Sequence, residues 1–212
     1  MFTKGFDADV TPGDAIKCRV DGYTCVARIY QDDDSTPPWK EEDGHGPVSK
    51  CTSRAKRPGE RVLNEDHGSR RYYDWEAAII QAKKEGWDAP PYGGTPGQRA
   101  ERAVARDFEA MRAWCADEWW YCGIAVVVSR AGVNLTGKYD HALWRVECNY
   151  PDSENKYLTE VANELLPDAL AAAKAKLAKL CRADVPDEPG ELPDAVVAAW
   201  DSEHLDDDDE TD

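Results

Sequence analysis

Residues 121–129, "YCGIAVVVS", constrain the fold of this chain more than any other segment. Three successive valines favour the pleated conformation, and a run this apolar must be covered on at least one face. The segment predicts a central strand.

Its neighbours limit what can surround it. "RAG" can turn and "VNLT" can return along the strand. "HALWRVECNY" offers a further strand in which Leu143, Arg145 and Glu147 alternate with Trp144, Val146 and Cys148. Upstream, residues 98–119 carry Ala103, Val104, Phe108, Met111 and Cys115 at helical spacing. Downstream, a helix is predicted from about Lys156 through Leu158, Val161, Ala162, Leu165, Leu170, Ala173, Leu177 and Leu180. Pro167 is expected to kink or split it, because proline has no N–H to offer the carbonyl of residue 163. The order helix, strand, strand, strand, helix predicts an α+β fold, a small antiparallel sheet packed against helices. Double-stranded-RNA-binding domains share this order, but the basic cluster they place at the start of the final helix is missing here. Lys174, Lys176 and Lys179 come late in it.

The N-terminal half is expected to be loop-rich. After an irregular lead-in over residues 1–17, "AIKCRVDGYTCVARIYQ" predicts one or two short strands about Asp21-Gly22. Residues 32–71 show no sustained periodicity, which is long for a loop in a compact domain. They form either a functional loop or a stretch concealing short elements pinned by Trp39 and Val62-Leu63. A helix with clear signals follows. Asp74 is its N-cap, Trp75, Ala78, Ile79 and Ala82 recur at helical spacing, and Gly86 ends it. "DAPPYGGTPGQ" then breaks the chain before the next helix. One α+β domain is expected over residues 1–183 and an acidic tail over residues 184–212.

The net charge of −16 over 212 residues invites comparison with a nucleic-acid mimic. Its distribution argues otherwise. Residues 184–212 hold 13 acidic and no basic side chains, whereas residues 1–183 hold 29 acidic against 26 basic. A rigid mimic needs its carboxylates on the folded body, and the body is almost neutral. The terminal block is expected to stay extended, as a solubilising end or as an interaction tail for a basic partner. The opposite bias occurs from residue 50 to 71, where Lys50, Arg54, Lys56, Arg57, Arg61, Arg70 and Arg71 face three acids, Glu60, Glu65 and Asp66. That loop is either a phosphate-binding patch or a balanced surface in which arginines pair with those acids.

No apolar run reaches the roughly 18 residues that cross a bilayer, and the start lacks a secretory h-region. The cytoplasm of the host cell is the expected location. The seven cysteines are odd in number, widely spaced and without a Cys-x-x-Cys pair, which predicts packed thiols rather than a disulfide framework or zinc knuckle. The most catalytic-looking stretch is "EEDGHGPVS", where Asp43 and His45 flank Gly44, with His67 following Asp66 later. These groups can bind a divalent metal or move protons only if the loops meet, and both Gly-containing pairs also read as turns. No HExxH, nucleophile elbow or Gly-rich phosphate loop is present. No catalytic residue, metal ligand or cofactor is assigned. Trp119 and Trp120, at a helix-to-strand junction, and Trp39 serve either as lids over a small core or as a recognition surface beside carboxylates.

The stretches "DGHGPVS", "KRPGERVLNEDHGSRRYYDW", "GWDAPPY", "DFEAMRAWCADEWWYCG" and "YLTEVANELLPDAL" together resemble an uncharacterised family of small proteins from phages and prophages of proteobacteria. The resemblance spans about residues 23–180 and leaves out the acidic tail. It implies a phage accessory protein acting on host machinery and transfers no catalytic role. The expected function is therefore non-enzymatic. The protein would bind and inhibit or modify a host nucleic-acid-handling or defence complex, as an anti-CRISPR or antirestriction protein does, by occluding a basic surface. Candidate partner-binding residues are Trp39, Asp43, His45, Arg57, Arg70, Arg71, Trp119, Trp120, Asp206, Asp207, Asp208 and Asp209. The expected partner is a host protein or ribonucleoprotein, with direct nucleic-acid binding second and no membrane. Two alternatives stand beside this. One is a nucleic-acid or phosphate-binding module that uses the 50–71 basic loop and is autoinhibited by the tail. The other is a metal-dependent enzyme using Asp43, His45 and His67.

Overall fold

The valine-rich run lies at the centre of the sheet. The computed structural model describes residues 1–41 and 44–183. Along them run β1 (Ala15–Val20), β2 (Tyr23–Gln31), β3 (Glu60–Asp66), β4 (Ser69–Asp74), α1 (Trp75–Glu85), α2 (Pro96–Cys115), β5 (Trp120–Arg130), β6 (Val133–Asn134), β7 (Ala142–Cys148) and α3 (Lys156–Ala183). β5 pairs antiparallel with β2 on one edge and with β6 and β7 on the other, and β1 lies outside β2. This is the predicted α+β architecture.

Three hairpins close through two-residue turns at Asp21-Gly22, His67-Gly68 and Ala131-Gly132. Both central residues have positive φ in each: 52° and 78°, 44° and 80°, 49° and 83°. This is type I′ geometry, whose twist matches that of the flanking strands. β7 carries a bulge opposite residues 122–124. There Arg145 adopts a φ of 61°, its N–H donates to Asp32 Oδ2 at 3.1 Å, and its guanidinium pairs with Glu41 at 2.9 Å.

The sheet has one sealed face and one open face. Tyr23, Cys25, Ala27 and Ile29 of β2 are buried, while Thr24, Val26, Arg28 and Tyr30 between them are half-buried. Across the register Cys25, Ala27 and Ile29 meet Val128, Val126 and Ile124, all buried. Leu158, Ala162, Leu166, Ala169 and Ala173 of α3 are buried as well, as are Phe2 and Val10 of the lead-in. The lead-in is ordered by asparagines. The Phe2 N–H donates to Asn163 Oδ1 (2.8 Å) and the Val10 N–H to Asn149 Oδ1 (3.0 Å), while Asn155 Nδ2 reaches both Ala8 O and Asn149 Oδ1 (2.7 Å each). These bonds make the complete burial of Asn155 tolerable.

A second core joins the β3–β4 hairpin to α1 and α2 through Leu63, Tyr73, Ala82, Val104, Phe108, Met111 and Trp119, with Trp39 packed against it. Residues 32–71 thus conceal short elements, a 3-10 turn at Pro38–Lys40 and the whole of β3. α1 has the predicted ends, with Asp74 accepting from the Ala77 N–H at 3.0 Å and Gly86 left-handed. α2 begins with a Thr95/Gln98 capping box and stops at Cys115, short of the expected end at residue 119. The chain turns there because Trp119 folds back, its Nε1–H donating to Ala110 O at 2.7 Å.

Two expectations require correction. Of the kink or split expected at Pro167, the split does not occur, and α3 runs unbroken through a proline on its exposed side. The cysteines are not all free thiols, because Cys122 and Cys148 form a disulfide with their Cα atoms 6.1 Å apart. The β5–β7 register sets both on the sealed face, which their spacing in sequence could not reveal. The other five are free. Residues 1–173 form one compact unit, and the chain from Lys174 belongs to a second. No described helix is long and apolar enough to cross a membrane.

Candidate functional site

β4 is flanked on both sides. Beyond its pairing with β3, the chain at residues 47–52 runs antiparallel to it, with bridges from Val48 to Tyr73 and Thr52 to Arg70. The Ser49 N–H donates to Tyr72 O (2.8 Å) and the Asp74 N–H to Pro47 O (2.9 Å). This carries His45 and Gly46 onto Tyr73. Glycine is needed at position 46, because a Cβ there would collide with the Tyr73 ring and hydroxyl.

Asp107 reaches the same point from α2. Its carboxylate accepts from the Gly46 N–H at 2.8 Å and the Tyr73 O–H at 2.6 Å, and its other oxygen lies 2.6 Å from His45 Nδ1. The His45 and Asp107 side chains are 11% and 9% exposed. Three polar groups from two stretches of chain thus converge on the two Asp107 oxygens. Burial first, and then the adjacent Asp107 charge, push the Tyr73 hydroxyl far above its ordinary range, so it remains a donor. The contact from Nδ1 to Asp107 fixes the orientation of the His45 ring.

A cleft of ≈ 360 Å³ opens beside this cluster. Trp87 and Tyr92 wall it from the α1–α2 connection, Tyr150 from the end of β7, and Arg106 from α2. The Tyr150 hydroxyl is pushed up to about 12, chiefly by burial, and Arg106 works against the rise. The described lining contains no serine, threonine, cysteine or lysine. It offers hydrogen bonding, stacking and charge.

The other predicted residues lie elsewhere. Arg54 grips Glu60 through two bonds (2.7 and 2.5 Å) and Arg70 grips Glu65 (2.8 and 3.0 Å). Arg54 holds Glu60 down to about 2. Arg71 lies 4.9 Å above the Trp39 ring and donates to Ser49 O, and Arg61 lies 3.1 Å above Trp75. The Arg57 side chain is exposed and its N–H donates to Glu60 Oε2 at 2.8 Å. Of the seven basic side chains of residues 50–71, Arg54 and Arg70 thus pair with acids of the same stretch. Trp119 is 1% exposed and belongs to the core. Trp120 is half-buried, its Nε1 lacking a hydrogen-bond partner among the described residues. His67 sits on a hairpin tip, 3.6 Å from Asp66 and almost fully exposed, while His45 is held by Asp107. Among the described residues no group of three or more His, Cys, Asp or Glu side chains is placed to hold a metal ion. Asp43, Asp206, Asp207, Asp208 and Asp209 lie outside the described residues.

Sequence reasoning found His45 but missed Asp107, Arg106, Trp87, Tyr92 and Tyr150. A signal for one of them was present. Asp107 interrupts the apolar series Ala100, Val104, Phe108, Met111 at helical spacing, and an acid in that position needs donors waiting for it. The chain matches no known protein-family model, no curated protein and no solved structure.

Proposed function

We propose that this is a non-enzymatic binding protein that engages a host nucleic-acid-handling or defence complex and inhibits or modifies it. The cleft carries the reading. Trp87, Tyr92, Tyr150 and Arg106 are the residue types that dominate binding energy at protein interfaces, and they surround a histidine already locked in place. Preorganisation of that kind lowers the ordering cost of association. The phage setting rests on the resemblance across residues 23–180. The 13 uncompensated acids of residues 184–212 match a basic surface on the partner, which they would occlude.

The test is affinity capture from host lysate with the full chain beside its Arg106→Glu and Tyr92→Ala forms. Arg106 and Tyr92 are exposed, so folding is preserved. The wild type is expected to enrich a nucleic-acid-handling protein or ribonucleoprotein that both variants recover at least tenfold less well. An identical set from all three, or a set without such a protein, refutes the reading.

A further inference from the structure

The open face of the five-stranded sheet has its own chemistry, independent of the cleft. The β1–β2 and β2–β5 registers place Lys17 and Arg19 on the same side as Val26, Arg28 and Tyr30, opposite Val127 and Ser129. Lys138 joins them, its ammonium 4.6 Å from the centres of both the Tyr30 and Tyr139 rings. Arg28, Tyr30, Lys138 and Asn134 rim a depression of ≈ 400 Å³ floored by Val26 and Val127.

The aromatic rings form a strip. Tyr30 meets Tyr139 edge-on at 5.2 Å, and Tyr139 meets Trp144 at 5.6 Å. Tyr139 is 48% exposed and Trp144 40% exposed. Trp144 is seated directly on the strand backbone, where a Cβ at Gly123 would strike its ring. In a chain of net charge −16 this face concentrates four cations. The strand positions around them that share the face (Ala15, Thr24, Val26, Tyr30, Ala125, Val127 and Ser129) bear no carboxylate.

We propose that this face binds single-stranded nucleic acid, with the bases stacked on Tyr30, Tyr139 and Trp144 and the backbone phosphates on Lys17, Arg19, Arg28 and Lys138. Charge complementarity selects a polyanion, and half-exposed rings select one whose bases are unpaired. A duplex keeps its base faces stacked internally and offers such rings nothing to stack on.

The measurement is fluorescence anisotropy of a labelled oligothymidylate titrated with the full chain, with a labelled duplex of equal length as comparison. The single strand is expected to bind in preference to the duplex. Four neutralised phosphates give a slope of about −3 in log affinity against log salt, roughly a 50-fold loss between 50 and 200 mM. Lys17→Glu combined with Arg19→Glu changes only exposed side chains and should weaken binding at least tenfold, as should Lys138→Glu. Trp144→Ala should cost about tenfold. No binding at low salt, equal binding of the duplex, or affinity unchanged by the charge reversals overturns the proposal. So does equally effective competition by polyglutamate, which would identify the face as a site for acidic peptide. None of these results bears on the cleft, whose variants are different residues.

Discussion

Asp107 collects partners from two separate stretches of the chain, residues 45–46 and Tyr73, so its removal takes a shared acceptor from both. In Asp107→Ala the His45 Nδ1, the Gly46 N–H and the Tyr73 O–H lose a common partner in a nearly closed site. A loss of about 3 kcal/mol is expected in urea unfolding, against about 1 kcal/mol for Tyr73→Phe, which removes one donor and strands none. Glu60 gives a prediction in pH. Its carboxyl stands at about 2 in the folded protein, below its ordinary 4.5, because Arg54 bonds the charged form. A depressed carboxylate contributes stability that is fully present above the unfolded value and is lost as pH falls through the folded one. Thermal stability of the wild type should therefore decline from about pH 4.5 towards pH 2, and that part of the decline should be absent in Glu60→Gln. At neutral pH the same variant should melt roughly 4 °C lower.

The elements read from the sequence are those whose signals are local. Asp74 and Gly86 delimit α1 because a cap and a left-handed glycine act within a few residues of themselves. Asp74→Ala should cost about 1 kcal/mol, measured by chemical denaturation. β3 shows no strand periodicity in the sequence for an equally physical reason. Only Glu60 and Leu63 of its seven residues are buried, and a bulge falls between Val62 and Asn64, so no period of two survives. The candidate site was half legible. His45 stands out by its residue type and the glycines on either side, but its partner lies 62 residues away on another element. The Cys122–Cys148 bridge is a matter of register in the same sense. Alkylation under denaturing conditions should label five thiols without reductant and seven with it. Reduction should destabilise the fold by about 3 kcal/mol.

Across the molecule, charge is segregated. Residues 184–212 hold 13 acids and no basic residue, while residues 1–183 are close to neutral and their sheet presents a basic, aromatic face. Deleting residues 184–212 changes the net charge from −16 to −3. If the acidic run meets a basic partner surface, the truncated protein should bind the captured partner more weakly, and the difference should shrink as salt is raised. Equal affinities at physiological salt would show that the run takes no part in docking.

The bulge in β7 bears on how such a protein persists at high concentration. A sheet edge with unused backbone N–H groups templates further strands, the route by which chains polymerise. At Arg145 the strand bends, and the bend is fastened by bonds to Asp32 and Glu41. Along β1 the outer edge bears Lys17 and Arg19, which would lie against their own copies in any symmetric extension. With a bulge in one edge strand and cations on the other, strand-upon-strand joining into fibrils is disfavoured, and crowding should drive neighbouring molecules to meet through faces.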